Sequence, residues 1–392
     1  LLVFFSMDSR GLSSNIWVRD YLIHYYSFPN IMLVALINIE FNIERKVFKF
    51  KQPAGTSRGV LTSKTSWFIY LHCNSFIGVG ECSVIEGLSP EYSSHKDYED
   101  TLKKALEFLK KQINKFPLFE STKELLSEGS KFLDYTKELP SIRFGIEMAL
   151  LNLLNQKKEV YFQNEFIIGQ KKIPINGLIW MGSPSFMKSQ INQKIKSGFT
   201  TVKLKIGAID FKKELAILSN IRKNYNRDQI TLRVDANGAF SVEDVDTVLA
   251  KLAKFNIHSI EQPIKPGQHE KMALLSQKKI IPIALDEELI PIVDLKDKKS
   301  LLKKIMPQYI ILKPSLHGGI HGCNEWIKLA ESLKIQWWLT SALESNVGLN
   351  AICQYATEHC VIMPQGLGTG ALYEKNIPSK LKVKNGYIFY DL

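Results

Sequence analysis

The chain has 392 residues, of which 45% are hydrophobic and 23% are charged, an ordinary composition for a globular protein. This length suffices for two domains, or for one barrel with an accessory domain. No apolar run approaches the ~18 residues that a membrane-spanning helix needs, so we predict no membrane partner. The five cysteines are scattered, odd in number and without a CxxC pair, which favours reduced thiols in a cytoplasmic protein over a disulfide framework.

The formal net charge is +12, and it comes mainly from lysine. One hypothesis is therefore a basic nucleic-acid-binding protein. The alternative is a lysine-rich surface that keeps a barrel in solution, and we favour it because acidic residues are interleaved with the lysines through the predicted helices. A positive field also suits a small anionic substrate, so we predict no nucleic-acid partner.

The first 31 residues differ from the rest of the chain. The initial Leu-Leu-Val-Phe-Phe run has no basic region before it and no small-residue cleavage site after it, so it is a poor match to a signal peptide. Regular patterning begins near Met32. We therefore predict that residues 1–31 are a non-native or disordered leader, and that the native start lies near Met32.

Residues 32–165 are predicted to form an α+β unit. Apolar alternation over 33–50 and two later apolar runs predict an antiparallel meander of three strands. Residues 96–115 and a segment that begins near Ser141 have helical spacing. Strands followed by helices are typical of an α+β domain.

From about residue 166, strand-like runs alternate with amphipathic helices. A helix-length segment follows every run except the last, and eight such units predict a (β/α)8-type barrel with its site at the C-terminal ends of the strands. A dinucleotide-binding sheet is disfavoured because no GxGxxG follows a strand. The eight runs begin near Ile173, Val202, Ile230, Ser259, Ile281, Tyr309, Gln336 and Cys360.

Charged side chains end the second to the sixth predicted strands. In a closed barrel the third, fourth and fifth strands are neighbours, so three carboxylates share one arc of the mouth. The second and sixth strands lie on opposite sides, so two lysines face each other across the site. In chain order the residues are Lys205, Asp235, Glu261, Asp286 and Lys313.

Three carboxylates at one rim need a counter-charge. Two like charges ~4 Å apart at an effective dielectric constant of about 20 repel by roughly 4 kcal/mol. A divalent cation removes that penalty, and oxygen ligands without His or Cys suit Mg²⁺, with Mn²⁺ as a substitute, rather than Zn²⁺. The alternative is that each acid pairs with a nearby Lys or Arg, but three consecutive strands that end in acids favour the metal.

A cation between two lysines suits abstraction of the weakly acidic proton α to a carboxylate, because the resulting enediolate carries charge on two oxygens. Lys205 would act as the base. Lys203 lies two residues earlier on the same face of the strand, and burial beside it and the cation should lower the pKa of Lys205.

These residues resemble the enolase superfamily, specifically its muconate-lactonizing-enzyme-like branch, over about residues 33–372. The resemblance implies a modified TIM barrel, (β/α)7β, at 166–368. An α+β capping domain formed by residues 32–165 and the C-terminal tail, 369–392, would cover it. The resemblance also implies roles for six residues: Asp235, Glu261 and Asp286 as Mg²⁺ ligands, Lys205 as the general base, Lys203 beside it and Lys313 as the opposing lysine.

Within the superfamily, residues 53–60, 235–240, 341–349 and 365–370 are most similar to the o-succinylbenzoate synthase family of lyases. The similarity implies syn-dehydration of 2-succinyl-6-hydroxy-2,4-cyclohexadiene-1-carboxylate in menaquinone biosynthesis, with Lys205 taking the α-proton and returning it to the departing hydroxyl. Residues in these stretches that are predicted to bind substrate are Ser57, Arg58, Asn237, Ser341, Ser345, Gly366 and Gly368.

Two questions stay open at the level of sequence. Ser57 and Arg58 also suit an ordinary turn, and Ser345 also suits a helix cap. An N-acylamino acid racemase or dipeptide epimerase on the same scaffold is the alternative function, because two facing lysines also suit a two-base racemization. The cap loops and residues 341–348 favour dehydration.

Overall fold

The computed structural model describes residues 39–57, 59–73, 75–113, 121–127, 131 and 133–392. The predicted leader, Met32 and Arg58 lie outside these residues. None of the helices within them combines the length and the hydropathy of a membrane span.

An antiparallel three-stranded sheet begins the described chain, with helices packed on one face. Close approach of the helix Pro140–Asn155 to the strand Phe76–Ser83 depends on glycine, since a Cβ atom at Gly78 or Gly80 would overlap the backbone of Ala149 or Gly145. The predicted meander is confirmed. The strands, in sheet order, are β1 (Glu40–Thr56), β2 (Gly59–Cys73) and β3 (Phe76–Ser83), and the helices are α1 (His95–Ile113), α2 (Thr122–Ser127), a 3-10 turn (Asp134–Thr136) and α3 (Pro140–Asn155).

Seven parallel strands in chain order form the barrel sheet. A helix follows each strand, and the edges are joined through parallel bridges from Gln365 to Ile175 and from Gly366 to Thr340. This is the expected (β/α)7β architecture. The strands are β5 (Gly177–Ile179), β6 (Thr201–Lys205), β7 (Thr231–Asp235), β8 (Ile257–Glu261), β9 (Ile283–Leu285), β10 (Tyr309–Leu312) and β11 (Gln336–Leu339). The helices are α4 (Pro184–Lys196), α5 (Phe211–Asn224), α6 (Val245–Ala253), α7 (His269–Lys278), α8 (Leu295–Ile305), α9 (Gly319–Ser332) and α10 (Asn346–Glu358).

Two predicted barrel strands differ from the structure. The run near Ile173 forms β4 (Lys172–Pro174), which pairs with the C-terminal hairpin, and the first barrel strand is β5. The break falls at Pro174, which has no backbone N–H for a continuous ladder. The run near Cys360 is not a strand, because α10 extends to Glu358 and Cys360, with φ +50°, ends it. At the place of the eighth strand, the described residues form only the single-residue bridges of Gln365 and Gly366.

The C-terminal tail contacts two parts of the fold. Residues 372–374 run beside β1, where Lys51 N–H donates to Leu372 O (2.8 Å) and Glu374 N–H donates to Lys49 O (2.9 Å). The rest forms a hairpin of β12 (Leu381–Lys384) and β13 (Tyr387–Tyr390), and β13 pairs with β4. The domain limits at residues 165 and 368 stay predictions.

Strand alternation decides which side chains reach the barrel interior. On β6 and β7, Val202, Leu204, Leu232 and Val234 belong to the large core beneath the helices. The intervening side chains point inward, where Lys203 pairs with Arg233 and Lys205 with Asp235 across the two strands. The charged residues therefore lie inside the barrel, in register, at the ends of the strands.

Candidate active site

The predicted strand-end residues converge at the C-terminal rim of the barrel. Asp235 and Glu261 are the last residues of β7 and β8, and Asp286 directly follows β9. Their exposed fractions are 0%, 2% and 0%, so all three carboxylates are removed from water. Two lysines reach them from the flanking strands: Lys205 ends β6, and Lys313 directly follows β10. The predicted arrangement of a carboxylate trio between two lysines is present.

Lys205 and Lys313 each contact one carboxylate of the trio, whereas Lys203 contacts two. Lys205 Nζ donates to Asp235 Oδ2 (2.5 Å) and to Asn237 Oδ1 (2.8 Å). Lys313 Nζ donates to Asp286 Oδ2 from the other side of the trio. Lys203 Nζ lies between two acids, 2.8 Å from Asp235 Oδ2 and 2.5 Å from Glu261 Oε2.

Asn237 orients the amine of Lys205. Its side-chain amide donates to Glu287 Oε1 (2.8 Å), which leaves its carbonyl oxygen facing Lys205. Its φ of +46° is left-handed, and the loop at this point is held by Asn237 N–H donating to Asp235 Oδ1 (3.1 Å). Asn237 is therefore a neighbour of the predicted base and part of the cavity wall.

The two lysines at the rim differ in their electrostatics. Burial lowers the pKa of Lys205; Asp235 opposes this effect, Lys203 adds to it, and the net pKa is below the ordinary value. Burial also lowers the pKa of Lys313, but Asp286 and Glu261 outweigh burial and hold it above the ordinary value. Lys205 is thus the amine more easily made neutral, while Lys313 stays an ammonium.

The carboxylates also differ from one another. Burial raises the pKa of Glu261, and the carboxylates of Asp235 and Asp286 raise it further. Burial also raises the pKa of Asp235, but Lys203 and Lys205 outweigh burial and hold it well below its usual value. Glu261, the middle carboxylate, is therefore the one whose negative charge is not balanced by the nearby lysines.

The donor set fits a divalent cation. Glu261 Oε1 and Asp286 Oδ1 are buried and have no hydrogen-bond partner among the described residues. In the same ranges no three His, Cys, Asp or Glu side chains are already arranged as a metal-binding group; the amines of Lys203, Lys205 and Lys313 contact carboxylate oxygens instead. An all-oxygen set with uncompensated negative charge suits Mg²⁺ or Mn²⁺.

A small cavity opens beside the trio, with walls from both the cap and the barrel. Its volume is about 80 Å³, room for only a few water molecules. Leu61, Ile85 and Leu88 of the cap line this cavity together with Lys205 and Lys313 of the barrel. A ring-sized ligand therefore needs these cap residues to move apart. A larger hollow of about 1040 Å³ lies at the N-terminal ends of β10 and β11, at the opposite end of the strands from the carboxylates.

The predicted substrate-binding residues divide into two groups. Asn237, Ser341, Gly366 and Gly368 line the cavity. Ser57 does not; its hydroxyl donates to Ala236 O (2.9 Å) and so ties the cap loop to the loop after β7. For Ser57 the contact supports a structural role rather than the predicted substrate contact.

Ser345 is also placed away from the cavity. It is the N-cap of α10, where its Oγ accepts from Val347 N–H (3.2 Å) and donates to Glu81 Oε2 (2.6 Å). It is fully buried. The geometry therefore supports the helix-cap alternative, because both hydrogen-bonding functions of the hydroxyl are already used.

We expect Ser345→Ala to lower stability without changing substrate affinity. Loss of a helix cap costs about 1 kcal/mol, which thermal unfolding will show as a lower Tm. The KM should stay at the wild-type value. A raised KM with an unchanged Tm would restore Ser345 as a substrate ligand; Ser341→Ala, whose side chain lines the cavity, is the matched comparison.

Sequence reasoning missed two charged residues near the site, Lys64 of β2 and Glu344 of the loop after β11. Both are buried. Lys64 shares a face of β2 with Ser66 and Phe68, both buried, so strand alternation was a signal that could have found it. Glu344 accepts from Ser341 Oγ (2.6 Å), so the proton of that serine is directed away from the cavity.

Comparisons with known proteins agree with this geometry. Residues 187–390 match the family model described as enolase C-terminal domain-like. The chain is 44% identical over 371 residues to an o-succinylbenzoate synthase of Desulfotalea psychrophila (strain LSv54 / DSM 12343), an alignment that covers 89% of this chain and 98% of that protein. The chain therefore belongs to the enolase superfamily.

Two solved structures have folds similar to that of this chain. The crystal structure of MenC from Desulfotalea psychrophila LSv54 superimposes with a TM-score of 0.75 at 41% identity and covers 90% of this chain and 99% of that one. The N-succinyl Arg/Lys racemase from Bacillus cereus ATCC 14579 gives a TM-score of 0.76 at 20% identity and covers 91% and 93%. At that identity the second similarity supports the fold alone.

Proposed function

We infer that this chain is a lyase that dehydrates 2-succinyl-6-hydroxy-2,4-cyclohexadiene-1-carboxylate to 2-succinylbenzoate, a step of menaquinone biosynthesis. The first step, removal of the proton α to a carboxylate, rests on one observation: Lys205 and Lys313 reach the same buried carboxylate trio from opposite sides. The substrate rests on the 44% identity to an o-succinylbenzoate synthase over 98% of that protein's length.

We propose Asp235, Glu261 and Asp286 as ligands of Mg²⁺, with Mn²⁺ as a substitute. Members of the superfamily use a divalent metal, typically Mg²⁺. A bound dication supplies electrostatic stabilisation for negative charge on the two oxygens of the substrate carboxylate. Glu261 Oε1 and Asp286 Oδ1 support this assignment, because they are buried oxygens of the trio with no hydrogen-bond partner among the described residues.

Lys205 is the proposed base. As a neutral amine it takes the proton α to the substrate carboxylate and becomes an ammonium, and the electron pair of the C–H bond forms the enediolate. The electrons then return to expel the β-hydroxyl on the same face. Lys205 gives its new proton to that hydroxyl, so water leaves, the amine is neutral again and the ring is aromatic. The lowered pKa of Lys205 supports this cycle, because a base must first be unprotonated.

Lys313 is proposed to act as a fixed positive charge. Its pKa is raised by Asp286, so it stays protonated while Lys205 cycles. An ammonium opposite the base stabilises negative charge on the ring without exchanging a proton. Lys203, between Asp235 and Glu261, partly neutralises the carboxylates and orients them.

The proposed substrate is a small anion, and no nucleic-acid partner is needed. The five cysteines all lie among the described residues and form no disulfide there, which supports the cytoplasm as the compartment. The basic surface would draw an anionic substrate towards the enzyme.

Parallel assays of dehydration and racemization test the proposal. We expect the purified chain with Mg²⁺ to form 2-succinylbenzoate, and to lose this activity when a chelator is added. The competing function is measured as deuterium exchange at the α-carbon of N-succinylamino acids. Exchange faster than dehydration would make the chain a racemase. A salt-dependent shift of duplex DNA in a gel would instead support a nucleic-acid-binding protein.

A further inference from the structure

The loop between β11 and α10 is held in a strained shape. Ser341, Ala342 and Leu343 of this loop line the cavity beside the carboxylate trio. Leu343 has a φ of +62°, in the left-handed region. Leucine is disfavoured in this conformation, because its Cβ atom comes too close to the following carbonyl oxygen. Contacts from elsewhere must therefore stabilise the loop.

Two hydrogen bonds from outside the barrel hold the carbonyl groups at the strained residue. Lys64 of β2 donates from Nζ to Ala342 O (2.7 Å) and also contacts Ser83 Oγ. The hydroxyl of Tyr373, in the tail segment beside β1, donates to Leu343 O. The carbonyl groups of Ala342 and Leu343, before and after the strained residue, are thus held by the cap and the tail and not by the barrel.

Two buried carboxylates hold the remainder of the loop. Glu81 of β3 accepts from Ser345 N–H (2.8 Å) and Gly348 N–H (2.9 Å) at the start of α10. Glu344 accepts from Ser341 Oγ (2.6 Å) and from Ser315 Oγ (2.6 Å). The loop is therefore anchored at each end, and its middle depends on the two donors described above.

The stability of the fold does not explain why residue 64 has a buried amine. Burial lowers its pKa to about 8, although Glu344 and Glu81 act to raise it. The charged form is therefore less favourable in the fold than in water. What the amine does provide is the hydrogen bond to Ala342 O.

We propose that Lys64 and Tyr373 are positioning residues that clamp the substrate-facing loop of residues 341–345 in its strained shape, so that the cap and tail determine how the barrel binds substrate. The inference rests on the proposed function in one respect, since the kinetic readout uses that substrate. The structural readout is independent of it.

Lys64→Met and Tyr373→Phe test the clamp. Each removes one donor and keeps the packing volume; the ring of Tyr373 stays against Phe48 and Phe50. We expect each variant to raise KM by roughly tenfold while kcat changes less than about threefold, because the loop no longer holds the binding shape before substrate arrives. The Tm should fall by no more than about 3 °C, as expected for the loss of one hydrogen bond in a chain of this size.

Lys46→Met is the matched control. Lys46 lies on β1 of the same sheet and pairs with Glu44 at the surface (3.0 Å). Its loss removes the same charge from the cap without touching the loop, so KM should stay at the wild-type value. An equal rise in KM for the control would mean that the effect comes from net charge, and would overturn the proposal.

Amide hydrogen exchange of a peptide covering residues 341–348 separates this proposal from the proposed function. Faster exchange of this peptide in Lys64→Met, with unchanged exchange elsewhere, supports the clamp even if the wild-type protein does not dehydrate the substrate. Unchanged exchange together with unchanged KM overturns it. A general rise in exchange together with a Tm lowered by more than about 3 °C would show a merely structural role and would also overturn it.

Discussion

Lys205→Ala is expected to fold normally and to lose essentially all dehydratase activity. Of the two facing lysines at the rim, Lys205 is the one whose pKa is lowered, and it is held by Asp235 and Asn237. One side chain would serve as both base and acid, and a single general acid–base role contributes roughly 10²–10⁴-fold. We therefore expect kcat to fall by at least about 10³-fold.

The measurement is 2-succinylbenzoate formation at saturating substrate, with circular dichroism and Tm to verify folding. Lys212→Ala is the matched control, since Lys212 is an exposed lysine on the following helix, α5. It should retain wild-type kinetics. A Lys205→Ala protein that turns over substrate at more than a small fraction of the wild-type rate would assign the base to another residue.

Glu261→Gln is expected to abolish both activity and the response to Mg²⁺ without destabilising the metal-free protein. Glu261 is the middle carboxylate, with Asp235 and Asp286 as neighbours that disfavour its charged form. A neutral amide removes this repulsion, but it also removes a ligand charge. Because a ligand that binds only the folded state raises stability, Mg²⁺ should raise the Tm of the wild-type protein and leave the variant unchanged.

Titration of each protein with MgCl₂ while Tm is recorded gives a readout that does not require substrate. Glu147→Gln is the control: Glu147 is another buried carboxylate, which accepts from Ile320 N–H (2.5 Å) at the start of α9, away from the trio. That variant should melt earlier but keep its response to Mg²⁺. A rise in Tm with Mg²⁺ in Glu261→Gln equal to the wild-type rise would place the cation elsewhere.

The ends of the barrel strands were predictable because the relevant rules are local. Side chains alternate along a strand, parallel strands end at one rim, and one helix separates successive strands. Those rules were enough to place Lys205, Asp235, Glu261, Asp286 and Lys313 together. They failed where a strand was too short for a pattern, as at Gln365 and Gly366, which close the barrel through single bridges.

Contacts between distant segments were not predictable in this way. Lys64 and Ala342 are 278 positions apart, and Ser345 and Glu81 are 264 apart. No periodicity links such pairs, so Ser345 could be expected equally as a cap or as a ligand. The orientation of the Ser345 hydroxyl depends on β3, which brings Glu81 to the start of α10. Only the tertiary structure shows this contact.

The residues of the proposed reaction, and their order around the barrel, were determined by the amino-acid sequence through its strand and helix periods. Tertiary structure alone decided which lysine is easily neutral and which stays charged, because both amines have the same chemistry and differ only in burial and in the acids that packing brings beside them. It also decided the shape of the loop around Leu343, since a left-handed leucine persists only where contacts from distant parts of the chain compensate its strain.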